Sequence, residues 1–219
     1  MTFYYCYDAQ CGWCFGFSKV MTQLADLYKG RFHFEVLSGG MIPKEEAKPV
    51  KAIASYISAA YQRVETLAGV RFGADYLWHI QNPDESDWFP ESLTPAVALS
   101  IFKTYQPDSQ VHIASDFQSA LFEEGRDLSD PEAYRHLLEK YQIPADDFYQ
   151  QLSEEKFIDK AKYEFALCRQ LQVTGFPKLL LQVSDTKFYL VAEGYTPLET
   201  VTARVDNILQ ELPDSGEKT

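Results

Sequence analysis

Three things are scarce in this 219-residue sequence: long apolar runs, basic residues and cysteines. No apolar run approaches the roughly 20 residues that a membrane-spanning helix needs, so we expect no membrane association. Lysine and arginine total 20 against 32 aspartate and glutamate residues, and the resulting net charge of -12 repels nucleic-acid phosphates and anionic lipid surfaces. We therefore expect neither a nucleic acid nor a membrane among its partners.

The first residues lead directly into a predicted strand, without the basic segment and apolar core of a secretory signal peptide. This start predicts a cytoplasmic location. The chain has only four cysteines. In a reducing compartment, two cysteines placed close together are more typical of a catalytic pair than of a structural disulfide.

Two of the four cysteines, Cys11 and Cys14, stand three residues apart in the sequence Cys-Gly-Trp-Cys. An aromatic-rich predicted strand over 1–8 precedes them, and apolar residues at helical spacing follow from 14 to 29. The pair therefore lies at a predicted helix N-terminus, where free backbone N–H groups and the helix dipole stabilise a thiolate. We predict that Cys11 is the exposed nucleophile, that Cys14 resolves the mixed disulfide, and that Trp13 belongs to the substrate-binding surface.

A metal centre is the rival interpretation of these cysteines. Cys6, Cys11 and Cys14 follow the spacing C-x4-C-x2-C, which with Cys168 as a fourth ligand matches plant-type iron–sulfur proteins. Cys6 falls within the predicted strand rather than in a ligand loop, and the four histidines are scattered, so we expect no metal. Cys6 and Cys168 are instead predicted to be small buried residues.

The hydrophobic pattern predicts an α/β core interrupted by helices. A second strand near 32–36 gives a β-α-β unit with parallel strands, and an antiparallel hairpin over 179–192 precedes a last helix. Between them, proline-punctuated helical patterns dominate, and the aromatic, acidic stretch 72–90 predicts a mobile or substrate-facing loop. We assign the chain as follows: a core domain over 1–42 and 165–212, a helical insertion over 43–164, and a disordered tail over 213–219.

In this order of elements the chain resembles the DsbA-like thioredoxin-fold disulfide oxidoreductases, in particular their FrnE-like cytosolic branch. The resemblance rests on three segments: Cys11-Gly12-Trp13-Cys14, Val173-Thr174-Gly175-Phe176-Pro177, and the acidic stretch from Phe122 to Pro131. It implies an α/β, thioredoxin-like fold with a large all-helical insertion. It also implies that Pro177 is the family's cis-proline beside the cysteine pair, and that Phe176 and Pro177 contact the substrate.

The resemblance implies a thiol–disulfide oxidoreductase that needs no cofactor beyond its Cys11–Cys14 disulfide. Its partner would be a thiol or disulfide, in a protein or in glutathione. Kappa-class glutathione transferases and 2-hydroxychromene-2-carboxylate isomerases are related but typically carry serine in place of the first cysteine. A glutathione-dependent transferase or isomerase of a small electrophilic or aromatic compound is therefore the alternative. No histidine separates the two cysteines, which predicts a less oxidising pair than that of the periplasmic enzymes.

Overall fold

A computed structural model of the chain describes residues 1–212, so the predicted disordered tail over 213–219 lies outside the described residues. Within them, four strands form one sheet: β1 (Thr2–Tyr7), β2 (His33–Ser38), β3 (Lys178–Ser184) and β4 (Lys187–Glu193). Their order is β2-β1-β3-β4, with β1 parallel to β2 and antiparallel to β3, and β3 antiparallel to β4. The predicted parallel β-α-β unit and the C-terminal hairpin are confirmed.

Helices fill the rest of the described chain. In chain order they are α1 (Gly12–Leu27), α2 (Lys51–Ala68), α3 (Ala74–Gln81), α4 (Leu93–Tyr105), α5 (Gln110–Phe122), α6 (Arg135–Lys140), α7 (Ala145–Gln151), α8 (Glu155–Gln170) and α9 (Leu198–Glu211). Short 3-10 turns lie at Lys44–Glu46, Pro107–Ser109 and Pro131–Tyr134. The α/β class with a large helical insertion is confirmed. The domain boundaries stay a prediction, and the predicted boundary between residues 164 and 165 falls inside α8.

The loop predicted over 72–90 is partly wrong, because α3 occupies 74–81. The prolines of this stretch, and all its acidic residues except Asp75, lie after this helix, from Pro83 onward. Two residues at the edges of this stretch, Phe72 and Trp88, are buried rather than exposed. The segment therefore combines a packed helix with a shorter connection.

Strand β1 presents different side chains to the two faces of the sheet. Phe3, Tyr5 and Tyr7 alternate onto the face that α1 covers, where they join the main hydrophobic core. Cys6 points to the opposite face and packs in a smaller cluster that includes Cys168. This alternation places Cys6 on the other side of the sheet from the helix that carries Cys14.

A part-buried lysine connects the insertion to the sheet. The Nζ atom of Lys103 in α4 donates to Glu35 of β2 at 2.6 Å, to the Val36 carbonyl at 2.7 Å and to Glu164 of α8 at 2.8 Å. Burial alone would lower the pKa of Lys103, but the two carboxylates outweigh it and raise the pKa above its ordinary value. The lysine is therefore held charged between three elements.

Candidate active site

The first cysteine of the pair starts helix α1. Cys11 is the N-cap residue, with extended backbone angles, and its sulfur accepts the backbone N–H of Cys14 at 3.3 Å. Serine or aspartate oxygens usually fill this role at a helix N-terminus. Negative charge that develops on the Cys11 sulfur is therefore met by a backbone N–H and by the positive end of the helix dipole.

The Phe176–Pro177 peptide bond is cis, and this peptide lies against the first cysteine. The Cys11 thiol donates to the Phe176 carbonyl oxygen, with 3.6 Å between sulfur and oxygen. The Phe176 ring turns the other way, so that a Cβ atom added to Gly39 would collide with it. The Pro177 carbonyl is occupied by the N–H of Gly194 at 2.9 Å. It is thus the backbone of Phe176, rather than its ring, that the fold brings to Cys11.

The predicted exposure of Cys11 is wrong, since only 6% of its surface is exposed. The Phe176 carbonyl covers one side of the sulfur, and Cys11 also lines a cleft. Cys14 is completely buried one turn further along α1. Burial, followed by its hydrogen bond with Cys11, raises the pKa of the Cys14 thiol well above its ordinary value. Cys14 is therefore a thiol at neutral pH.

An apolar cleft of about 250 Å³ opens beside Cys11 and Trp13. It runs between the start of α1 and the helices α2 and α3 of the insertion. Of the residues predicted to contact substrate, Trp13 lies in its wall, whereas Phe176 and Pro177 are outside it. The other walls are aromatic and aliphatic side chains, among them Ile57, Tyr61, Val64, Phe72, Tyr76 and Trp88.

Asp8 is a site residue that the sequence analysis missed. Its buried carboxylate accepts the Met41 N–H at 2.8 Å through one oxygen, and the Gln10 N–H and Ser92 hydroxyl, each at 3.0 Å, through the other. Burial raises the pKa of this carboxyl, and the same hydrogen bonds oppose the increase. Asp8 thus ties the end of β1 to the loop after β2 and to the insertion. The sequence feature that could have identified Asp8 is its position as an acidic residue between an apolar strand and the cysteine pair.

Gln118 of α5 is a second missed residue, and its completely buried amide lies against the first turn of α1. In one orientation its nitrogen donates to the carbonyls of Asp8 and Cys11, at 3.3 and 3.4 Å. With the amide rotated by 180°, it donates to the Cys14 carbonyl at 3.2 Å and accepts the Phe15 N–H at 3.0 Å. Either orientation holds the cysteine-bearing turn, and no local sequence pattern marks Gln118 for this role.

The other two cysteines do not join this site. Cys6 and Cys168 are both buried, as predicted, and they lie on the opposite face of the sheet. The Cys168 thiol donates to the Ser38 carbonyl at 3.6 Å. A hydrogen bond with Cys6, and then burial, raises the pKa of Cys168. Within residues 1–212, no three His, Cys, Asp or Glu side chains come together as a metal site. The sheet separates Cys6 and Cys168 from Cys11 and Cys14, so the structure does not bring the four proposed iron–sulfur ligands together, and the expectation of no metal stays a prediction.

The sequence of this chain matches a known protein family. A sequence model described as the DSBA-like thioredoxin domain matches residues 3–206. The chain belongs to this family. The DSBA-like match includes the cysteine pair, the helical insertion and the Phe176–Pro177 peptide, so it spans all the parts of the site. No curated protein matches the chain.

Solved structures share this DSBA-like fold over nearly the whole chain. A protein from Nitrosomonas europaea, proposed to be a protein disulfide isomerase, has a TM-score of 0.80 at 20% identity, with coverage of 96% of this chain and 98% of that one. The cytosolic disulfide reductase DsbM from Pseudomonas aeruginosa has a TM-score of 0.77 at 22% identity, with coverage of 96% and 99%. A 2-hydroxychromene-2-carboxylate isomerase has a TM-score of 0.64 at 14% identity, with coverage of 96% and 97%.

Over residues 1–212, no helix combines the length and the apolar character needed to cross a bilayer.

Proposed function

We propose that this protein is a thiol–disulfide oxidoreductase that works through a mixed disulfide on Cys11, which Cys14 then resolves. The position of Cys11 carries the proposal. Its sulfur caps a helix and accepts the Cys14 N–H, and Cys11 lines a cleft, whereas Cys14 is completely buried. Membership of the DSBA-like family supports the same class of reaction.

In the reducing direction, the Cys11 thiolate attacks one sulfur of a substrate disulfide, and the other substrate sulfur leaves as a thiolate that takes up a proton. Cys14 then loses its proton and attacks the Cys11 sulfur. This releases the second substrate sulfur and leaves a Cys11–Cys14 disulfide. Two electrons pass from the protein dithiol to the substrate, and the oxidising direction is the same sequence reversed.

The environment of the two sulfurs supports the roles proposed for them. The Cys14 N–H stabilises charge on the Cys11 sulfur, which favours Cys11 as the attacking thiolate. The high pKa of Cys14 keeps that thiol protonated at neutral pH, so it does not compete for the substrate. Its burial also keeps it from any sulfur other than that of Cys11.

Three residues are proposed to contact the substrate. Trp13 lines the cleft at the reacting sulfur. Phe176, which precedes Pro177, presents its backbone beside Cys11, where an extended peptide can pair with it in the manner of an added strand. A polypeptide thiol or disulfide thus fits this surface.

Glutathione is proposed as the second reactant that returns the cysteine pair to its starting state. A structure of DsbM from Pseudomonas aeruginosa with GSH shares the fold, with a TM-score of 0.74 at 22% identity. We also propose the cytoplasm as the site of action. The cytosolic location given for that relative supports this proposal, as does the pairing of two nearby cysteines, which in a reducing compartment is typical of catalysis.

Variants in which one cysteine at a time is replaced test the proposal. Cys11→Ser should abolish exchange with disulfide substrates, and Cys14→Ser should accumulate a mixed disulfide on Cys11, detected by intact-protein mass spectrometry. Cys168→Ala is the matched control, since that thiol lies on the other face of the sheet, and it should keep exchange activity. Normal turnover of either active-site variant would refute the assigned roles.

A glutathione-dependent transferase or isomerase is the second candidate. The apolar lining of the cleft beside Cys11, against which an aromatic ring can pack, favours it. This reaction would need the Cys11 thiol but not a resolving cysteine. Full activity of Cys14→Ser toward a small electrophile, together with no disulfide exchange by the native protein, would establish this candidate instead.

A further inference from the structure

Two thiols that the proposed reaction does not use lie together on the face of the sheet opposite α1. Cys6 in β1 and Cys168 in α8 belong to one small buried cluster, in which their exposed fractions are 0% and 1%. Cys11 and Cys14, the other two of the four cysteines, belong to the main core instead. The chain therefore holds two separate pairs of cysteines, one on each side of the sheet.

The strand register and the packing of α8 bring the second pair of thiols together. Cys6 of β1 pairs with Leu37 of β2. The Cys168 thiol donates to the carbonyl of Ser38, the residue after Leu37, at 3.6 Å. The Cys168 sulfur therefore lies beside the strand position next to Cys6, since adjacent strands are only roughly 4.8 Å apart. A hydrogen bond between the two thiols, which is the largest cause of the raised pKa of Cys168, agrees with this placement.

A cavity reaches this second pair from outside. Its volume is about 860 Å³, and residues of β1, β2, α4 and α8 line it. Two of the lining residues, Leu37 and Leu167, also pack in the cluster of the two thiols. A small uncharged molecule in the cavity is therefore separated from the thiols by a single layer of side chains. A larger oxidant such as oxidised glutathione finds no exposed sulfur to react with.

We propose that Cys6 and Cys168 form a second redox pair, which a small hydroperoxide oxidises to a disulfide that links β1 to α8. One thiolate attacks an oxygen of hydrogen peroxide, which gives a sulfenic acid and one molecule of water. The second thiol attacks that sulfur, forms the S–S bond and releases a second molecule of water. The two thiols thus lose two protons and two electrons to one peroxide.

The second pair differs from the catalytic pair in speed and in partner. Burial among apolar side chains keeps the thiolate scarce, so oxidation should be slower than at Cys11, where a backbone N–H meets the sulfur. The reaction needs neither Cys11 nor Cys14, because the sheet lies between the two pairs. The inference therefore goes beyond the proposed exchange and does not depend on it.

The test uses the variant Cys11→Ser/Cys14→Ser, in which Cys6 and Cys168 are the remaining cysteines. The folded variant is treated with hydrogen peroxide, alkylated in denaturant and digested with trypsin. We expect both thiols to resist alkylation, and a disulfide to join the tryptic fragments 1–19 and 163–169, which carry Cys6 and Cys168. Thiols that stay free, or oxygen added to each cysteine without this link, would overturn the proposal.

Two controls and a second preparation accompany this variant. Adding Cys168→Ala should prevent the link and stop oxidation of Cys6 at the sulfenic acid or beyond. Oxidised glutathione in place of peroxide should leave both thiols free, and linkage at the same rate would show that a hydroperoxide is not the specific oxidant. In the native protein, peroxide followed by reduced glutathione should restore the Cys11 and Cys14 thiols while fragments 1–19 and 163–169 stay linked. This preparation decides the matter if the double variant does not fold.

Thermal unfolding shows whether the link forms within the native fold. A disulfide between residues so far apart in the chain restricts the unfolded state, so the oxidised variant should melt roughly 5–15 °C above the reduced one. Dithiothreitol added in mild denaturant should reverse the shift after refolding. A melting temperature that does not rise on oxidation would show that the fold does not hold the two sulfurs at bonding distance, and it would overturn the inference while leaving exchange at Cys11 intact.

Discussion

The contact between Gly39 and the Phe176 ring offers a sharp test of how the site is built. Gly39 follows β2, and a Cβ atom placed on it would lie 2.7 Å from Cε2 of Phe176 and closer still to two other ring atoms. The ring is part-buried and packs against both core clusters, so it has little room to retreat. Overpacking of this kind costs about 1–3 kcal/mol.

Gly39→Ala should therefore lower the melting temperature by roughly 2–12 °C, on the scale of about 2–4 °C per kcal/mol for a chain of this size. The displaced ring carries the Phe176 carbonyl with it, so exchange at Cys11 should slow as well. Thermal unfolding and the rate of disulfide reduction are measured on the same preparation. Gly175→Ala is the control, because no atom would lie within 4 Å of its added Cβ.

A second substitution, at Phe176, tests whether the clash with the ring causes these effects. Phe176→Val removes the ring, so the double variant Gly39→Ala/Phe176→Val should be less destabilised than the sum of the two single variants. We expect a coupling of about 1 kcal/mol or more, within the range measured for residues in contact. Strict additivity, or a Gly39→Ala variant as stable and active as the native protein, would show that this contact does not position the loop.

Three further outcomes follow from other parts of the structure. The release of glutathione from a mixed disulfide on Cys11 should accelerate about tenfold per pH unit between pH 7 and 9. The reason is that burial raises the pKa of Cys14 and only the Cys14 thiolate attacks. A release rate that does not change with pH in stopped-flow measurements would contradict this. Lys103→Met should lower the free energy of unfolding in urea by about 3–5 kcal/mol, because it leaves the Glu164 carboxylate without its partner. Adding Glu164→Gln should restore part of that free energy. An unchanged urea midpoint in Lys103→Met would show that stability does not need the ion-pair network. Gly12→Ala should leave the free energy of unfolding unchanged or raise it by up to about 1 kcal/mol, because the new Cβ would lie at an ordinary contact distance of 3.5 Å from Phe72. A decrease of more than about 1 kcal/mol in the free energy of unfolding would contradict this prediction.

Local sequence pattern predicted the parts of this protein that depend on near neighbours. The strand, turn and helix around Cys11 and Cys14 follow from alternation, helical spacing and the chemistry of a helix N-terminus. The parallel pairing of β1 with β2 follows from the single helix between them. The burial of Cys6 and Cys168 likewise follows from the apolar faces on which they lie.

What the sequence did not predict depends on contacts between distant segments. The burial of Cys11 requires the Phe176 carbonyl, which lies 165 residues away in the chain. The direction of the Phe176 ring depends on the space left by Gly39. Gln118 reaches the cysteine-bearing turn from the middle of the insertion, where its neighbours in sequence give no sign of that role. Such contacts appear only once the insertion is packed on the sheet.

The reduction potential of the Cys11–Cys14 pair tests the central claim most directly. The protein is equilibrated in buffers of reduced and oxidised glutathione, and its free thiols are counted by mass spectrometry after alkylation. We predict one reversible two-electron transition confined to Cys11 and Cys14, at a potential well below the roughly -120 mV of the strongest periplasmic oxidants. If Cys11 carries glutathione while Cys14 stays a free thiol at every ratio, the pair does not act as a dithiol and the account is contradicted.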